Sequence, residues 1–599
     1  MIKIKKEYLY IPIFLVVSIM PLIIYGKIDY LDYITYINWD GSKAEIDFFS
    51  YYKALFTIIM TIITSILYIK NKKCFKAIDY IKEYKYIFLI LIASILSFLF
   101  SEYKSISIGG FLFRYEGILT IISYISLIYI SINIFDNEKV IKNLINYLLI
   151  SYFIIALIGI MQYFGFDLFN NITFQKTIIP NKHEYLVGNL NSFARKNEIV
   201  SSTIGNSNYV GYYYALTMPI FFILFIMSKD IKEKIIYAIA VLIGIVMLLI
   251  TSSETGLISS FIAVLIFLIS YWKRIKYKEK RIIVTIIGIL TIASLGNYFS
   301  KGFVYDKIND FKYKFIYENT ISAEKNILQD VKINNNNVSL KYKDKILKMS
   351  YENNKISFFD DKGKKIFLSQ NVGERKGIFY VNDDKYNDLS IMFTEVGQDK
   401  TKAIVLEISK NVEIDLTIDN GFFKYINHAG KIIDPNEKVK VLFGNGKEEL
   451  LTSRVYIWSR TIPKIFEKPL FGYGPDTFEI VFPNYDYIGL YKAYDTTNMI
   501  VDKPHNTYIQ IAINLGIIAL ILSIILMLIY FNKYIKFVLK GSNNSKLDKY
   551  YYAITTAIIS FLIAAIMYDS TIAITPIFCI LLGVGIRLSA AYEKNKTEG

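Results

Sequence analysis

Long apolar runs recur along almost the whole chain, and they constrain the fold more than any other feature. Many windows of roughly 17–25 residues are predominantly apolar, the length at which a helix crosses a hydrocarbon core of about 30 Å. Mean hydropathy is +0.36, with 53% apolar and 20% charged residues, which excludes an ordinary soluble globular protein. The sequence therefore predicts a polytopic α-helical membrane protein.

Twelve spans are predicted, and basic loops set their orientation. The spans are about 9–25, 52–70, 86–100, 117–135, 143–164, 207–228, 235–251, 255–272, 282–300, 507–531, 550–568 and 573–590. Lysine-rich loops alternate along the chain, at 71–85, 228–234, 273–281 and 531–549. Because basic loops face the cytoplasm, both termini are predicted to be cytoplasmic, in a multi-pass protein of the cytoplasmic membrane. The basic, apolar N-terminus lacks a cleavage site and is interpreted as the first span.

A long polar segment lies on the predicted outer side, between spans 9 and 10. Short alternating runs such as VSLKYK, AIVLEIS and VEIDLTI are separated by turn signals such as NNNN, DDKGK and DNG. This pattern predicts an all-β sandwich or barrel-like domain of about 110 residues. The predicted domains are 1–300 with spans 1–9, a helical linker 301–330, the β-rich domain 331–447, amphipathic helices and a motif loop 448–504, and 505–599 with spans 10–12. We interpret the β-rich domain as a spacer or recognition module.

The overall charge and the cysteines add few constraints. The net charge of +16 comes largely from loop lysines on the predicted cytoplasmic side, so no nucleic-acid partner is needed to explain it. The two cysteines, Cys74 and Cys579, form no CxxC motif and predict no disulfide framework.

A histidine opens the tenth span, in VDKPHNTYIQIAINLG. His505 is one of only three histidines in the chain, and an imidazole can take a proton from a hydroxyl near neutral pH. Asp502, three residues earlier, is a hypothetical orienting group. The alternative is a solvated interfacial histidine, with Pro504 and Asn506 starting the helix.

Several arginines lie near span ends on the same predicted side. Arg454 and Arg460 belong to an amphipathic helix within 448–478, where Arg454 and Trp458 are neighbours at i, i+4. Arg114, in SISIGGFLFRYEGILT, is either functional or paired structurally with Glu116 or a lipid headgroup.

A cluster of small polar residues opens the sixth span. Arg195 precedes SSTIGNSNYVGYY, whose Ser, Thr, Gly and Asn residues offer either an anion site at a helix N-terminus or simple capping by Asn206 or Ser207. Glu254 lies in a tight turn between two later spans, where it either caps the next helix or takes part in the functional site.

Taken together, these residues suggest one chemistry. Arginines bind phosphates and pyrophosphates through two-pronged hydrogen bonds, and a histidine beside a lipid-linked pyrophosphate could deprotonate an incoming hydroxyl. Such a membrane glycosyl transfer needs no divalent metal, since cationic side chains stabilise the departing pyrophosphate.

The same motifs resemble a known family. SRVYIWSRTIPKIFEKPLFGYGPDTF, DKPHNTYIQIAINLGIIALIL, STIGNSNYVGYY and FLFRYEGILT are similar to the signature of the O-antigen ligase and polysaccharide polymerase superfamily of bacterial membrane glycosyltransferases. The resemblance extends over nearly all twelve spans. The β-rich insertion resembles an additional outer domain of some Firmicutes-type members.

The resemblance implies a fold like that of the C-type glycosyltransferases, and a reaction. Glycan would pass from an undecaprenyl-pyrophosphate carrier to a hydroxyl acceptor at the outer membrane face, with inversion and without metal or cofactor. The implied partners are the lipid-linked glycan, a glycan, lipid or wall acceptor, the bilayer and other polysaccharide-assembly membrane proteins.

The resemblance also assigns residues. It implies His505 as the base and Arg454 as the pyrophosphate ligand, with further substrate contacts from Arg195, Arg114, Arg460, Asn506 and Asn206. Many members have an arginine where this chain has Glu254 in TSSETG, so one cationic contact is either missing here or supplied by another residue, for which Arg460 is the candidate.

Several readings remain open. A polymerase, a ligase and a protein O-oligosaccharyltransferase share these motifs; the composition disfavours a lipid A acceptor, and we favour a polymerase or ligase for a surface or wall polysaccharide. A transporter or flippase of lipid-linked sugars would predict charged or broken helices near the midplane and symmetric halves, and neither is evident in the sequence. A sensor would need a cytoplasmic signalling domain, but the predicted cytoplasmic loops are short.

Overall fold

The computed structural model describes most of the chain, namely residues 6–75, 82–188, 200–272, 327–370, 377–437, 439–540 and 546–597. Its α-helices, numbered in chain order, are α1 (Ile11–Ser18), α2 (Tyr33–Asn38), α3 (Tyr51–Asn71), α4 (Lys82–Phe100), α5 (Lys104–Gly109), α6 (Ile118–Ile134), α7 (Glu138–Tyr163), α8 (Ile172–Ile178), α9 (Ser207–Met227), α10 (Ile231–Ile250), α11 (Glu254–Tyr271), α12 (Arg454–Glu467), α13 (Phe478–Val481), α14 (Tyr487–Tyr494), α15 (Thr507–Lys540), α16 (Asp548–Ala564) and α17 (Thr575–Thr597).

The β-strands form a small hairpin and two larger antiparallel sheets. They are β1 (Lys27–Tyr30), β2 (Ala44–Asp47), β3 (Leu328–Asn334), β4 (Asn337–Tyr342), β5 (Lys345–Glu352), β6 (Lys355–Phe359), β7 (Lys365–Ile366), β8 (Leu368–Ser369), β9 (Ile378–Val381), β10 (Ser390–Val396), β11 (Thr401–Ser409), β12 (Val412–Asp419), β13 (Phe422–Ile426) and β14 (Ile432–Ile433). The hairpin pairs β1 with β2, and the sheets have the orders β3-β4-β5-β6-β7 and β14-β13-β12-β11-β10-β9-β8.

The helices confirm the class of a polytopic helical membrane protein. Within the described ranges, eight helices are long and apolar enough to cross a membrane, and the helices at Tyr8–Leu22 and Ile118–Ile134 are shorter but also apolar. The predicted span 550–568 corresponds to α16, which has 17 residues. The predicted span 282–300 lies outside the described residues. The count of twelve, the orientation and the domain boundaries stay predictions.

Helix α9 is the central element of the helical bundle. Its residues are buried on nearly every side, including the consecutive tyrosines Tyr212, Tyr213 and Tyr214. A helix that is apolar all round belongs inside a bundle rather than at its surface, and α9 packs against α10, α11 and α16. The first turn of α9 is therefore held firmly, with the polar segment 200–206 leading into it.

Helix α15 is interrupted at Gly516, whose φ is +89°. Two N–H groups from the preceding loop fill the interruption: Tyr473 donates to the carbonyl of Ile513 and Gly474 to that of Asn514, both at 3.0 Å. Irregular backbone within an apolar helix persists where protein groups satisfy it. The sequence reading that no helix is broken was wrong, because an apolar run with a single glycine gives no sign of the break.

The two larger sheets share one apolar core, as in a sandwich. Leu340 and Leu347 from the five-stranded sheet cluster with Leu406 and Ile414 from the seven-stranded sheet, and all four are fully buried. Strand alternation therefore predicted an all-β region correctly, and its strands lie within 328–433.

The β region is bonded directly to the helical part of the chain. Tyr491 of α14 lies in the β core, and Thr497 exchanges hydrogen bonds with the backbone of Glu413 at 2.7 and 2.8 Å. On another side, Asn427 donates to the carbonyl of Ile37 at 2.7 Å. The β region is thus anchored at several points rather than tethered by a single linker.

We expect Gly516→Ala to lower the midpoint of thermal unfolding. A Cβ at this position would lie 2.1 Å from the carbonyl oxygen of Leu470, and the left-handed backbone alone costs about 1–2 kcal/mol for an L side chain. Gly109→Ala is the matched control, since nothing lies within 4 Å of its added Cβ. The midpoints of both purified variants are measured by heating samples to a series of temperatures and quantifying the remaining folded protein by size-exclusion chromatography. Equal midpoints would contradict the assigned role of Gly516.

Candidate active site

Two loops meet around His505. The loop before α15 carries His505, and the loop between α16 and α17 carries Asp569. The Nδ1 atom of His505 lies 3.0 Å from Oδ2 of Asp569, whose side chain is fully buried, while the imidazole is 39% exposed. A carboxylate at Nδ1 fixes the orientation of the ring and leaves Nε2 for a reacting group. The pair has the arrangement of a general base with an orienting acid.

The backbone around His505 is held in an uncommon conformation. His505 has a φ of +49°, in the left-handed region that L side chains rarely adopt. Both neighbours are bonded: the indole of Trp458 donates to the carbonyl of Pro504 at 2.8 Å, and the N–H of Asn506 donates to Oδ1 of Asp569 at 3.3 Å. These bonds place the imidazole beside Asp569.

The predicted partner of His505 is corrected by the structure. Asp502 was the hypothetical orienting group, but its carboxylate lies 3.4 Å from Lys503 and 3.8 Å from Arg114. Burial alone would raise the pKa of Asp502, yet the charges of Lys503, Arg114 and His505 hold it below its usual value. Asp569 has the orienting position instead.

Arg454 begins α12 and reaches the loop of Asp569. Its Nη2 and Nε atoms donate to the carbonyl of Met567 at 3.1 and 3.3 Å, and Nη1 donates to Leu451 and to the hydroxyl of Thr452. Among the residues that the structure describes, no carboxylate lies within ion-pair distance of Arg454. Its positive charge is held close to the His505–Asp569 pair without being neutralised.

Lys503 is a second cation at the site, and the sequence reading missed it. Its ammonium group lies 5.3 Å from the ring centroid of Tyr209, in the first turn of α9. Lys503 thus connects the DKPHN loop to the GNSN element. Burial opposes its charge, but Asp502, Tyr209 and Asp569 raise its pKa, so it stays protonated.

Arg114 is buried and holds three loops together. Its Nε donates to Oδ1 of Asp476 at 2.7 Å, and its Nη1 donates to the backbone carbonyl of Asp502. Asp476 also accepts from the N–H groups of Phe111 at 2.6 Å and Glu116 at 3.1 Å. The structural pair considered for Arg114 is therefore made with Asp476 rather than Glu116.

Arg460 is placed differently from the expectation that it supplies a cation to the site. Its guanidinium is buried, lying 3.0 Å from Asp486 and 3.7 Å from Glu448, and it stacks over the ring of Tyr456 at 4.6 Å. With two carboxylates around it, its charge is already balanced. Arg460 is six residues after Arg454 on α12, so the two side chains leave the helix in different directions.

The other sequence candidates lie at helix starts. Asn206 caps α9 by accepting the N–H groups of Asn208 and Tyr209 at 2.9 and 3.3 Å, and Asn506 accepts the N–H of Ile509 at 3.0 Å. Glu254 lies in the first turn of α11, where Ser253 is the capping residue. Arg195 lies outside the described residues.

An apolar cleft of about 430 Å³ lies next to the site. It lies between α4, α6, α15, α16 and α17, and most of its walls are aliphatic and aromatic side chains. Its polar lining groups are Ser94, Glu116, Asp476, Thr507, Gln510, Asn514, Ser523, Ser570 and Thr575. Thr507 follows His505 by two residues, and Ser570 directly follows Asp569. The cleft therefore joins an apolar space to the ionisable groups.

The sequence around Asp569 contains one indication of a functional role. It lies in MYDS, in the few residues between two predicted spans, and an acidic group so close to apolar helices is a functional hypothesis by default. Its pairing with His505 spans 64 residues, so no local pattern could reveal it.

Comparison with known families fits this geometry. Residues 403–524 match the sequence model of the family described as O-antigen ligase. The match supports the O-antigen ligase and polysaccharide polymerase superfamily for this chain. The matched segment begins within β11 and contains α12, His505 and the interruption of α15. No curated protein matches the chain. The family indicates a glycosyltransferase-type enzyme in a membrane setting, with a lipid-linked glycan as donor.

We expect Asp569→Asn to lower glycan transfer by about 10²–10⁴-fold, because an amide cannot stabilise the charged imidazole. The substitution keeps the size of the side chain, so the protein should still fold. Asp548→Asn is the matched control at the opposite end of α16. Transfer rates of both purified variants give the comparison, and an Asp569→Asn protein as active as the parent would refute the orienting role.

Proposed function

We propose that this protein transfers glycan from an undecaprenyl-pyrophosphate carrier to a hydroxyl acceptor at the outer face of the cytoplasmic membrane, with inversion at the anomeric carbon. The observation that carries the proposal is the His505–Asp569 pair, whose sequence neighbours Thr507 and Ser570 line an apolar cleft. A base, a cation and an apolar space are the three features that such a donor and reaction require. The family match supports the same class of reaction.

In the proposed reaction, Nε2 of His505 takes the proton of the acceptor hydroxyl. The hydroxyl oxygen forms the new bond to the anomeric carbon as the bond from that carbon to the pyrophosphate oxygen breaks. Attack opposite the leaving group inverts the configuration. Asp569, 3.0 Å from Nδ1, stabilises the imidazolium that results.

Cationic side chains would bind the departing pyrophosphate. Arg454 carries a charge with no carboxylate in ion-pair distance among the described residues, and its guanidinium is held against the Met567 carbonyl. A guanidinium binds phosphate oxygens in two-pronged geometry, and cations fixed before the reaction stabilise charge as it develops. Lys503, two residues before His505, would add a second charge.

The apolar cleft supplies a place for the polyprenyl chain. Burying an apolar chain against aliphatic walls is favourable by about 25 cal/mol per Å² of area removed from water or headgroups. Polar groups at the end of the cleft lie next to His505 and Asp569 in sequence. A chain lying in the cleft would thus present its pyrophosphate to the catalytic groups.

A transporter of lipid-linked sugars is the second candidate, and the interruption of α15 favours it. Discontinuous helices are typical of secondary transporters, and Gly516 breaks a membrane-length helix. The break is filled by the Tyr473–Gly474 loop, which gives it a static structural role. Transport does not require a histidine–carboxylate pair, so His505 separates the two functions.

We expect His505→Ala to lower glycan transfer by about 10²–10⁴-fold. The measurement is the size distribution of undecaprenyl-linked glycans in cells that carry the variant in place of the parent. Accumulated single repeat units would indicate a polymerase. Accumulated long lipid-linked chains would indicate a ligase or a protein O-oligosaccharyltransferase.

His183→Ala is the matched control for this experiment, since His183 lies between α8 and α9, where its ring meets that of Tyr185 edge-on, away from the loops that form the His505 site. Both variants are compared at equal membrane expression. A His505→Ala protein that supports parental glycan lengths would reject the histidine mechanism and favour transport.

We expect Arg454→Lys to lower transfer by about tenfold or more, since hydrogen bonds to charged groups contribute about 1.5–3 kcal/mol each and lysine cannot reproduce the fork. The loss should appear mainly in kcat, because the departing pyrophosphate carries more charge in the transition state than in the donor. Steady-state kinetics with lipid-linked donor measure it. Parental kcat/KM in Arg454→Lys would exclude two-pronged pyrophosphate recognition by this residue.

A further inference from the structure

Glu116 is a buried carboxyl that the proposed reaction does not use. It lies in the loop before α6 and is one of the polar groups that line the apolar cleft. Its Oε1 accepts hydrogen bonds from Ser570 at 2.6 Å and from Tyr124 at 2.7 Å. Gln510 approaches the other oxygen, Oε2, at 3.4 Å. A buried carboxyl that accepts several hydrogen bonds and faces a cleft is a candidate for a functional role.

Ser570 connects Glu116 to the catalytic pair. It directly follows Asp569, and its N–H and its hydroxyl are both hydrogen-bonded. The N–H of Ser570 donates to Oε1 of Gln510 at 2.8 Å, and its hydroxyl lies 2.6 Å from Glu116 and 2.9 Å from the hydroxyl of Thr575. Because a peptide bond joins Ser570 to Asp569, the bonds of Ser570 restrain the backbone that carries the Asp569 carboxylate. Two residues, Ser570 and Asp569, therefore separate Glu116 from the imidazole of His505.

Besides the amide and hydroxyl donors described above, titratable or charged groups face Glu116 from each neighbouring element. They are Arg114 of its own loop, Asp476 of the GYGPD turn, Tyr124 of α6 and Cys579 of α17. The pKa of Glu116 is raised to about 7, chiefly by burial and also by the charge of Asp476, against the bonds from Ser570 and Tyr124 and the charge of Arg114, which lower it. Glu116 thus changes charge close to neutral pH, where hydrogen bonds to the ionised form are the stronger ones.

We propose that Glu116 is a positioning residue that orders Ser570, and through it the Asp569–His505 pair, beside the apolar cleft. The inference deepens the proposed glycan transfer and rests on it. Above pH 7 the ionised carboxylate completes the bonds to Ser570 and Tyr124, and the pair is held for catalysis. Below pH 7 the protonated carboxyl accepts more weakly, and the pair is held less well.

Glu116→Gln tests the inference, with Glu83→Gln as the matched control. Glu83 is also fully buried, but it lies in the first turn of α4, beside Lys533. At pH 8, Glu116→Gln is expected to lower kcat about tenfold, as the loss of one charge-assisted hydrogen bond predicts, with KM for the donor within about twofold of the parent. Ionisation of Glu116 should contribute a step centred near pH 7 to the rise of the parental kcat with pH, in addition to the rise that the imidazole base itself produces, and only the Glu116 step should be absent in the variant.

A second readout needs no substrate. The chain has three histidines, so NMR of the full-length, histidine-labelled protein in lipid nanodiscs gives three imidazole signals. Loss of a signal in His505→Gln assigns His505. The chemical shift of the parental His505 signal is followed from pH 5.5 to 8.5. Ionisation of Glu116 should add a step centred near pH 7 to this titration. The Glu83→Gln protein should keep that step, and the Glu116→Gln protein should lose it.

Ser570→Ala provides a second test if Glu116→Gln does not fold. It keeps the carboxyl and removes the connecting hydroxyl, so it should remove the same component and the same rise in kcat. An identical His505 titration in the parent and in a folded variant would overturn the positioning role, whatever the activity. A third outcome separates the two proposals. If the variant loses the Glu116 component of the His505 titration but His505→Ala does not change transfer, the positioning role stands and the proposed function is rejected.

Discussion

The buried carboxylate of Asp569 is the constraint on which the site depends. A charge without exposure is costly unless it is paired and hydrogen-bonded, and both described partners come from the loop before α15: the imidazole of His505, at ion-pair distance from Oδ2, and the N–H of Asn506, which donates to Oδ1. The turn between α16 and α17 must therefore lie against the start of α15. Helix α12 is then fixed across both, through Arg454 on one loop and Trp458 on the other.

Backbone strain is concentrated around the same groups. Non-glycine residues with left-handed φ include His505, Asp476, the two neighbours of Arg114 and three consecutive residues, 451–453, before Arg454. Each such residue costs of order 1–3 kcal/mol and persists where its surroundings over-determine it. Here the bonds from Trp458, Asp569 and Arg114 do so. The strain places side chains that point toward one another, as a site prepared before substrate arrives requires.

Local patterns predicted part of this arrangement, and chain-distant contacts decided the rest. Apolar length identified the helices, and alternation identified the β region. Arg454 and His505 were recognisable because each stands in a local motif. Asp569 was missed because its pairing with His505 spans 64 residues, and Arg460 was assigned to the substrate because helix spacing does not reveal the carboxylates that balance it.

Arg460 connects the β region to the catalytic helix. Its partner Asp486 also caps α14, accepting the N–H of Gly489 at 3.1 Å, and Tyr491 of α14 lies in the β core. Removing one partner of a buried ion pair leaves an uncompensated charge, so α12 and α14 hold their relative positions firmly. Because Arg454 begins the helix that Arg460 anchors, the sandwich supports the position of the pyrophosphate-binding candidate, and the family match starting within β11 includes this whole connection.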